Sequence, residues 1–195
     1  MPHNLSQAAS NVATDAYNSA YNLGGPRITY LSVLDAASGT LKRGTFLLTR
    51  EGGASGKGNS LQPAAVAVDS AGHIYLAHTA ASTMEDQGNC TVNQQHCGAE
   101  GPGLLVLSAD LKQRVRWALF SKPAGPPAPL GGGPASSAVD VASRAGRVAF
   151  VASATEAMLE VSPARGSSAP SPGRTGGYLV LMSALDAGNL DAGTR

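Results

Sequence analysis

The sequence predicts an all-β protein of repeated antiparallel hairpins. Two different segments recur along the chain with a period of about 75 residues. Each segment reads as an apolar strand, a turn and a second extended stretch. The 24 glycines and 12 prolines among 195 residues also disfavour a helical protein, because both residue types destabilise the interior of a helix.

The first recurring segment is residues 28–50, ITYLSVLDAASGTLKRGTFLLTR. It returns as residues 103–122, GLLVLSADLKQRVRWALFSK, and its beginning returns from residue 177 as GYLVLMSALDAGNL. Apolar residues occupy both faces of residues 28–34, which is typical of a strand packed between sheets. Residues 35–39 then provide turn chemistry before a second extended stretch. The segment therefore predicts a β-hairpin.

The second recurring segment is residues 63–82, PAAVAVDSAGHIYLAHTAAS, which returns as residues 137–157, SAVDVASRAGRVAFVASATEA. Asp69 and Gly72 bound its turn. An aspartate that opens a type I turn and a glycine in the left-handed position are typical of a tight hairpin. The second copy keeps the glycine and has Ser143 in place of the aspartate, which retains a side-chain acceptor and favours a structural role.

Two hairpins in each period make a four-stranded unit, and tandem four-stranded sheets with Gly-rich connections are typical of β-propeller blades. We therefore expect propeller-like four-stranded antiparallel blades, about two and a half in number. The predicted units are a tail of a preceding blade at 1–23, a first blade with a cysteine loop at 24–100, a second blade at 101–175 and the start of a third at 176–195. The linkers between hairpins are expected on the rims, where binding surfaces concentrate.

The repeated hairpin resembles the SBBP β-propeller repeats of large bacterial proteins, which are often secreted or surface-associated. AVAVDSAGHIYLAHTAAS is similar to that family's apolar strand, Asp-x-x-Gly turn and Tyr- or Val-containing strand ending in Thr and Ser. Residues 13–17 with Gly24 and Gly25, and again residues 176–180, are similar to its links between blades. The resemblance covers most of the chain from about Asp15 and departs from the family in the cysteine loop and the second turn. It implies a fold and no catalytic residues.

Blade number bears on the expected partners. A propeller usually closes with about four to eight blades, so two and a half would leave unpaired strand edges and exposed apolar faces. The chain is therefore expected to be a fragment of a larger propeller, or to complete its sheets with partner subunits. The predicted partners are other protein subunits or the remaining blades, in an oligomer or complex.

Charge and hydropathy exclude several other partners. The chain carries 14 Lys and Arg against 13 Asp and Glu, a net charge of +1, so it lacks a broad field for nucleic acid or an anionic membrane. No apolar run has the length of a membrane-spanning helix. The first 20 residues lack the cationic start and apolar middle of a secretory signal, which predicts either an internal protein or a processed or truncated form.

Cys90 and Cys97 enclose the polar stretch TVNQQH. A close pair of loop cysteines predicts a disulfide and an oxidising, extracytoplasmic compartment, with two free thiols as the alternative. A bridge over so short a loop would contribute about 2 kcal/mol and would hold the loop more than the fold. His96 beside Cys97 does not complete a zinc site, because a fourth ligand is lacking.

No pattern in the sequence predicts a catalytic, cofactor-binding or metal-ligating residue, and no cofactor is expected. The Gly-rich stretch 52–58 lacks the hydroxyl residue that follows the lysine of a phosphate-binding loop, since Gly58 follows Lys57. Ser55 lacks the glycine two residues later that a nucleophile elbow requires. The histidines lack metal-ligand spacing.

Two further clusters are interpreted as structural. Residues 85–89, EDQGN, offer oxygen donors but lack the regular alternation of a calcium loop. On a regular strand, Arg114 and Arg116 would share one face and Trp117 would take the other. This spacing predicts a solvated face with a core aromatic residue and disfavours a nucleic-acid patch.

The sequence therefore predicts a non-catalytic interaction or structural module, in an extracytoplasmic bacterial assembly. The alternative is part of an enzyme or carbohydrate-binding propeller whose site needs further blades. A third hypothesis is a remnant with no autonomous role.

Overall fold

The computed structural model describes residues 29–50, 58–84, 87–92, 94–121, 136–154, 158–159 and 176–184. These residues form small antiparallel β-sheets and one turn of 3₁₀ helix at Gln87–Asn89, which confirms the all-β prediction. The strands are β1 Thr29–Leu34, β2 Leu41–Leu47, β3 Thr49–Arg50, β4 Gly58–Asn59, β5 Leu61–Val68, β6 Ile74–Ala80, β7 Thr91–Val92, β8 Gln95–His96, β9 Gly101–Leu107, β10 Arg114–Leu119, β11 Ser137–Arg144, β12 Arg147–Ala154 and β13 Gly176–Ser183.

The central sheet is a four-stranded antiparallel meander in the order β10-β9-β6-β5. Every residue of β6 and of β9 is buried, including the polar residues His78 and Thr79 on β6. The outer strand β5 alternates between half-buried and exposed residues over its second half, whereas β10 is half-buried except for exposed Val115 and buried Leu119. The two central strands of the sheet are therefore buried, and its two edge strands contact other parts of the fold.

The second sheet is a three-stranded meander in the order β11-β12-β13. Its first strand, β11, packs against β5 and β6 of the central sheet. The backbone N–H of Ala138 donates to Oγ1 of Thr79 across this contact at 3.0 Å. The two meanders are therefore packed together through the first strand of the second one.

Three aromatic rings meet in the core between these sheets, which is otherwise mostly aliphatic. The ring of Phe120, which follows β10, lies 4.8 Å from that of Phe150 on β12 and 5.8 Å from that of Tyr178 on β13. The Tyr178 hydroxyl donates to the carbonyl of Leu159 at 2.6 Å, which satisfies its polar end. Burial raises the pKa of this phenol.

The β1–β2 hairpin forms a separate two-stranded sheet, and β3 pairs with β4. The Tyr30 ring on β1 covers Gly44 on β2, where a Cβ would overlap the ring. The Thr29 hydroxyl donates to the carbonyl of Leu61, which ties this hairpin to the start of β5. The N–H of Arg50, on β3, donates to the carbonyl of Thr83 at 2.8 Å, which ties β3 to the segment that follows β6.

The predicted turns form as the sequence indicates. In the β5–β6 turn, Asp69 Oδ1 accepts hydrogen bonds from the backbone N–H groups of Ala71 and His73. Gly72 has φ of 87° and Gly146, in the β11–β12 turn, has φ of 71°. Glycine adopts this left-handed region without a steric penalty, which explains its presence in both turns.

The hairpins that share a sheet differ from those that the sequence analysis grouped into one unit. The boundary predicted between residues 100 and 101 lies inside the central sheet, because β6 pairs with β9 across it from Ile74↔Leu107 to Ala80↔Gly101. The boundary predicted between 175 and 176 is likewise crossed by the pairing of β12 with β13. Because β6 is buried throughout, its backbone N–H and C=O groups need a paired strand on each side. The second hairpin of one period therefore joins the first hairpin of the next in one sheet. The predicted N-terminal unit at 1–23 lies outside the described residues.

Candidate functional site

The predicted cysteine loop is a small hairpin. Cys90 and Cys97 lie within disulfide distance, with their Cα atoms 5.5 Å apart. Between them β7 pairs with β8, and Gln94 in the turn has φ of 64°. The N–H of Cys97 donates to the carbonyl of Cys90 at 3.0 Å. The pair is therefore placed as a bridge would require, which is consistent with an oxidising compartment.

A cleft of about 360 Å³ lies between this hairpin and the edge strand β10. Its volume falls within the range of small-ligand sites, about 300 to 1,000 Å³. One wall comes from the hairpin and the other from the beginning of β10. The lining residues are Asn89, Cys90, Thr91, Arg114, Val115, Arg116 and Trp117.

A β-bulge shapes the β10 wall of the cleft. Arg114 lies opposite Leu107 and Arg116 lies opposite Val106, so Val115 is an extra residue on β10. An extra residue breaks the alternation of faces and re-aims the side chains beside it. Bulges occur often at sheet edges and next to binding sites for this reason.

The bulge brings Arg114 and Trp117 together. The guanidinium carbon of Arg114 lies 5.4 Å from the centroid of the Trp117 ring, within the range of a cation–π interaction. The prediction that these two side chains take opposite faces was therefore wrong, because it assumed an unbroken alternation of faces along β10. The sequence signal that could have indicated the site is the only tryptophan of the chain, which follows two arginines and a cysteine loop.

The residues that line the cleft are mostly polar. Asn89, Thr91, Arg114 and Arg116 contribute to its walls, and Val115, whose side chain is exposed, adds an apolar residue.

A second polar cluster lies at the β5–β6 turn. Asp69 Oδ2 accepts a hydrogen bond from the Tyr75 hydroxyl at 2.8 Å and lies 2.9 Å from Nδ1 of His73. Burial opposes ionisation of Asp69, but the hydrogen bonds from Tyr75 and His73 outweigh it and hold the pKa of the carboxyl below its ordinary value. With two further backbone N–H groups on Oδ1, this carboxylate is used in closing the turn.

His78 and His96 do not line the cleft. His78 on β6 is fully buried, and neither of its ring nitrogens has a hydrogen-bond partner. Burial lowers the pKa of His78 to about 3, so the ring is neutral at ordinary pH. His96 on β8 is exposed.

Some of the candidate residues considered in the sequence analysis are not among the described residues. Glu85, Asp86 and the Gly-rich stretch 52–57 lie outside the described residues. Within the part of the chain that the structure describes, no group of three His, Cys, Asp or Glu side chains could hold a metal ion. The same residues contain no helix long and apolar enough to cross a membrane.

Comparisons with known proteins returned no matching family model, no matching curated protein and no matching solved structure. Functional inference for this chain therefore rests on its geometry and chemistry.

Proposed function

We propose that the chain is a non-catalytic interaction or structural module, built of propeller-like blades of the SBBP type and belonging to a larger extracytoplasmic bacterial assembly. One observation carries the proposal. Two consecutive meanders made of the same repeated hairpins pack together through β11, which lies against β5 and β6. Tandem antiparallel sheets in contact through their first strands are what neighbouring blades of a propeller would provide.

The outer strand of the second meander supports association with other chains. In the central sheet β9 pairs with both β6 and β10, whereas its counterpart β13 pairs only with β12 within the described residues. Leu179 and Leu181 on β13 are 57% and 66% exposed. An open edge that carries large apolar side chains favours pairing with another strand, from a partner subunit or from further blades.

The cysteine pair supports the extracytoplasmic part of the proposal, since disulfides persist mainly in oxidising compartments. The alternative is a carbohydrate-binding or enzymatic propeller, and the cleft beside β10 is the observation that favours it. Binding to a glycan array or turnover of a glycoside would establish that alternative.

The test is the association state of the full chain by light scattering over a range of protein concentrations. We expect oligomers in the unmodified chain and their loss in the double variant Leu179→Lys, Leu181→Lys, because two charges oppose burial of this edge. Leu34→Lys is the matched control, since Leu34 on β1 is 54% exposed and lies outside β13. A well-folded monomer at every concentration contradicts the proposal.

A further inference from the structure

The two packed sheets are made of equivalent strands, so their positions can be compared one by one. Counted from the turn glycine of each hairpin, β6 corresponds to β12, and their cross-strand partners make β9 correspond to β13. Leu104 on β9 lies opposite Ala77, and Leu179 on β13 lies opposite Val151. Leu104 and Leu179 therefore occupy the same position in the two sheets, as do Val106 and Leu181 two residues later.

The second sheet covers one face of the central sheet. The N–H of Ala138 on β11 donates to Oγ1 of Thr79 on this face, and β11 contacts β5, β6 and β9. Leu104 and Val106 share the face, because they lie opposite the β6 residues two and four positions before Thr79. Both are buried. The face of the central sheet that meets its neighbour is therefore apolar and closed.

The equivalent face of the second sheet is open. Leu179 and Leu181, the counterparts of the two buried β9 residues, are mostly exposed. On the adjacent strand β12, residues on this face are half-buried, whereas those on the opposite face are buried. The second sheet thus displays to solvent the surface with which the central sheet holds a neighbouring sheet. We call this surface the receiving face, and it comprises Ala149, Val151, Leu179 and Leu181.

The strand position that fills such a face is exposed on β5. In the observed contact, Val141 on β11 belongs to the core between the sheets and is buried. Its counterpart on β5 is Val66, which lies opposite Leu76 as Val141 lies opposite Phe150. Val66 is 51% exposed, and Val68, on the same face of β5, is 54% exposed. One chain therefore carries both halves of the interface that joins its two sheets, and both halves are exposed.

We propose that copies of this chain associate head to tail, with β5 of one copy packed on the receiving face of the next as β11 packs on the central sheet. This inference rests on the proposed function as an assembly module and names the partner, a second copy. The two surfaces differ, so the interface is heterologous and each copy can bind two neighbours. A net charge of +1 gives little repulsion between copies.

The test blocks each surface separately and then mixes the two variants. Ala149→Lys places a charge on the receiving face from the inner strand β12, away from the β13 edge. The double variant Val66→Lys, Val68→Lys places charges on β5. Each should raise the dissociation constant for self-association about tenfold or more, because a charge is costly to bury in an apolar contact. An equimolar mixture should recover heterodimers, since each variant keeps the surface that the other lacks.

Light scattering over a range of concentrations measures association, and circular dichroism establishes that each variant is folded. Leu34→Lys is the matched control, because Leu34 is exposed and lies outside both surfaces. If Ala149→Lys does not fold, Ala142→Lys replaces it, since Ala142 is exposed and lies opposite Ala149 on the same face.

A mixture of the two folded variants that stays monomeric overturns the proposal, and so does undiminished association of either variant alone. The result also separates this inference from pairing at the β13 edge. If both variants still associate and only Leu179→Lys, Leu181→Lys does not, edge pairing stands and the head-to-tail interface fails. An unmodified chain that stays monomeric at every concentration overturns both.

Discussion

His78 on β6 and Gly103 on β9 are direct cross-strand partners, and the missing side chain of Gly103 makes room for the imidazole ring. A Cβ added at Gly103 would lie 2.9 Å from Cε1 of His78. The corresponding pair in the second sheet reverses the sizes, with small Ala152 opposite large Tyr178. Each sheet therefore places one large and one small residue at this position.

Gly103→Ala should lower the free energy of unfolding by about 1 to 3 kcal/mol, the usual cost of overpacking a core. The new Cβ would lie 2.6 Å from the carbonyl oxygen of Ala118, and a backbone atom within a paired strand cannot move away cheaply. Chemical denaturation measures the change. Gly177→Ala on β13 is the control, because nothing lies within 4 Å of its Cβ position. Equal effects of the two substitutions would contradict the steric explanation.

His78 should make the fold sensitive to mild acid. Its folded pKa is lowered by burial from 6.5 to about 3, so below pH 6.5 the unfolded chain takes up a proton that the folded chain excludes. Stability from this group is complete above the unfolded pKa and falls with pH toward the folded pKa, by about 1.4 kcal/mol per pH unit at most.

Urea unfolding at neutral pH and at about pH 5 tests this expectation. His78→Leu should flatten the loss of stability between the two conditions, since the titrating group is removed. His96→Leu is the control because His96 is exposed on β8. Parallel pH profiles for the unmodified chain and His78→Leu would show that His78 is not responsible.

The sequence was sufficient to predict the hairpins because each depends on local chemistry. Alternating apolar residues and the turn residues Asp69, Gly72 and Gly146 lie close together in the chain, and the structure forms the β5–β6 and β11–β12 hairpins around them. The close approach of Cys90 and Cys97 could also be predicted, because only seven positions separate them in the sequence.

The phase of the sheets and the cleft could not be predicted in this way. Pairing of β6 with β9 depends on burial of β6 on both sides, which local patterning does not reveal. The bulge at Val115 is defined only by the partner strand β9, and it brings together Arg114 and Trp117, which were expected on opposite faces. In one sheet large His78 lies opposite small Gly103, and in the other small Ala152 lies opposite large Tyr178. This difference can be seen only once the cross-strand partners are known.

Asp69→Asn should lower the free energy of unfolding by about 1 to 3 kcal/mol, the cost of disrupting a buried hydrogen-bonded group. An amide supplies one acceptor oxygen where the carboxylate supplies two, and the Tyr75 hydroxyl and His73 would lose part of their bonding. Because the folded pKa of Asp69 is below 3.8, its stabilisation is complete above pH 3.8 and is lost as the pH falls further.

Asp35→Asn is the matched control for Asp69→Asn. Asp35 closes the β1–β2 turn and pairs with exposed Lys42 at 2.7 Å, and an exposed ion pair contributes little to stability. Thermal unfolding of the two variants should therefore show the larger effect for Asp69. A larger effect for Asp35→Asn would mean that the β1–β2 turn is the more important one for stability.

The cysteine pair gives the last prediction. A thiol assay on the denatured, unreduced chain should detect no free thiol, because Cys90 and Cys97 lie at disulfide distance. Replacing both residues by serine should lower the free energy of unfolding by about 2 kcal/mol, and Thr45→Ser is a control at a buried position outside the loop. Two reactive thiols in the denatured, unreduced chain would refute the bridge.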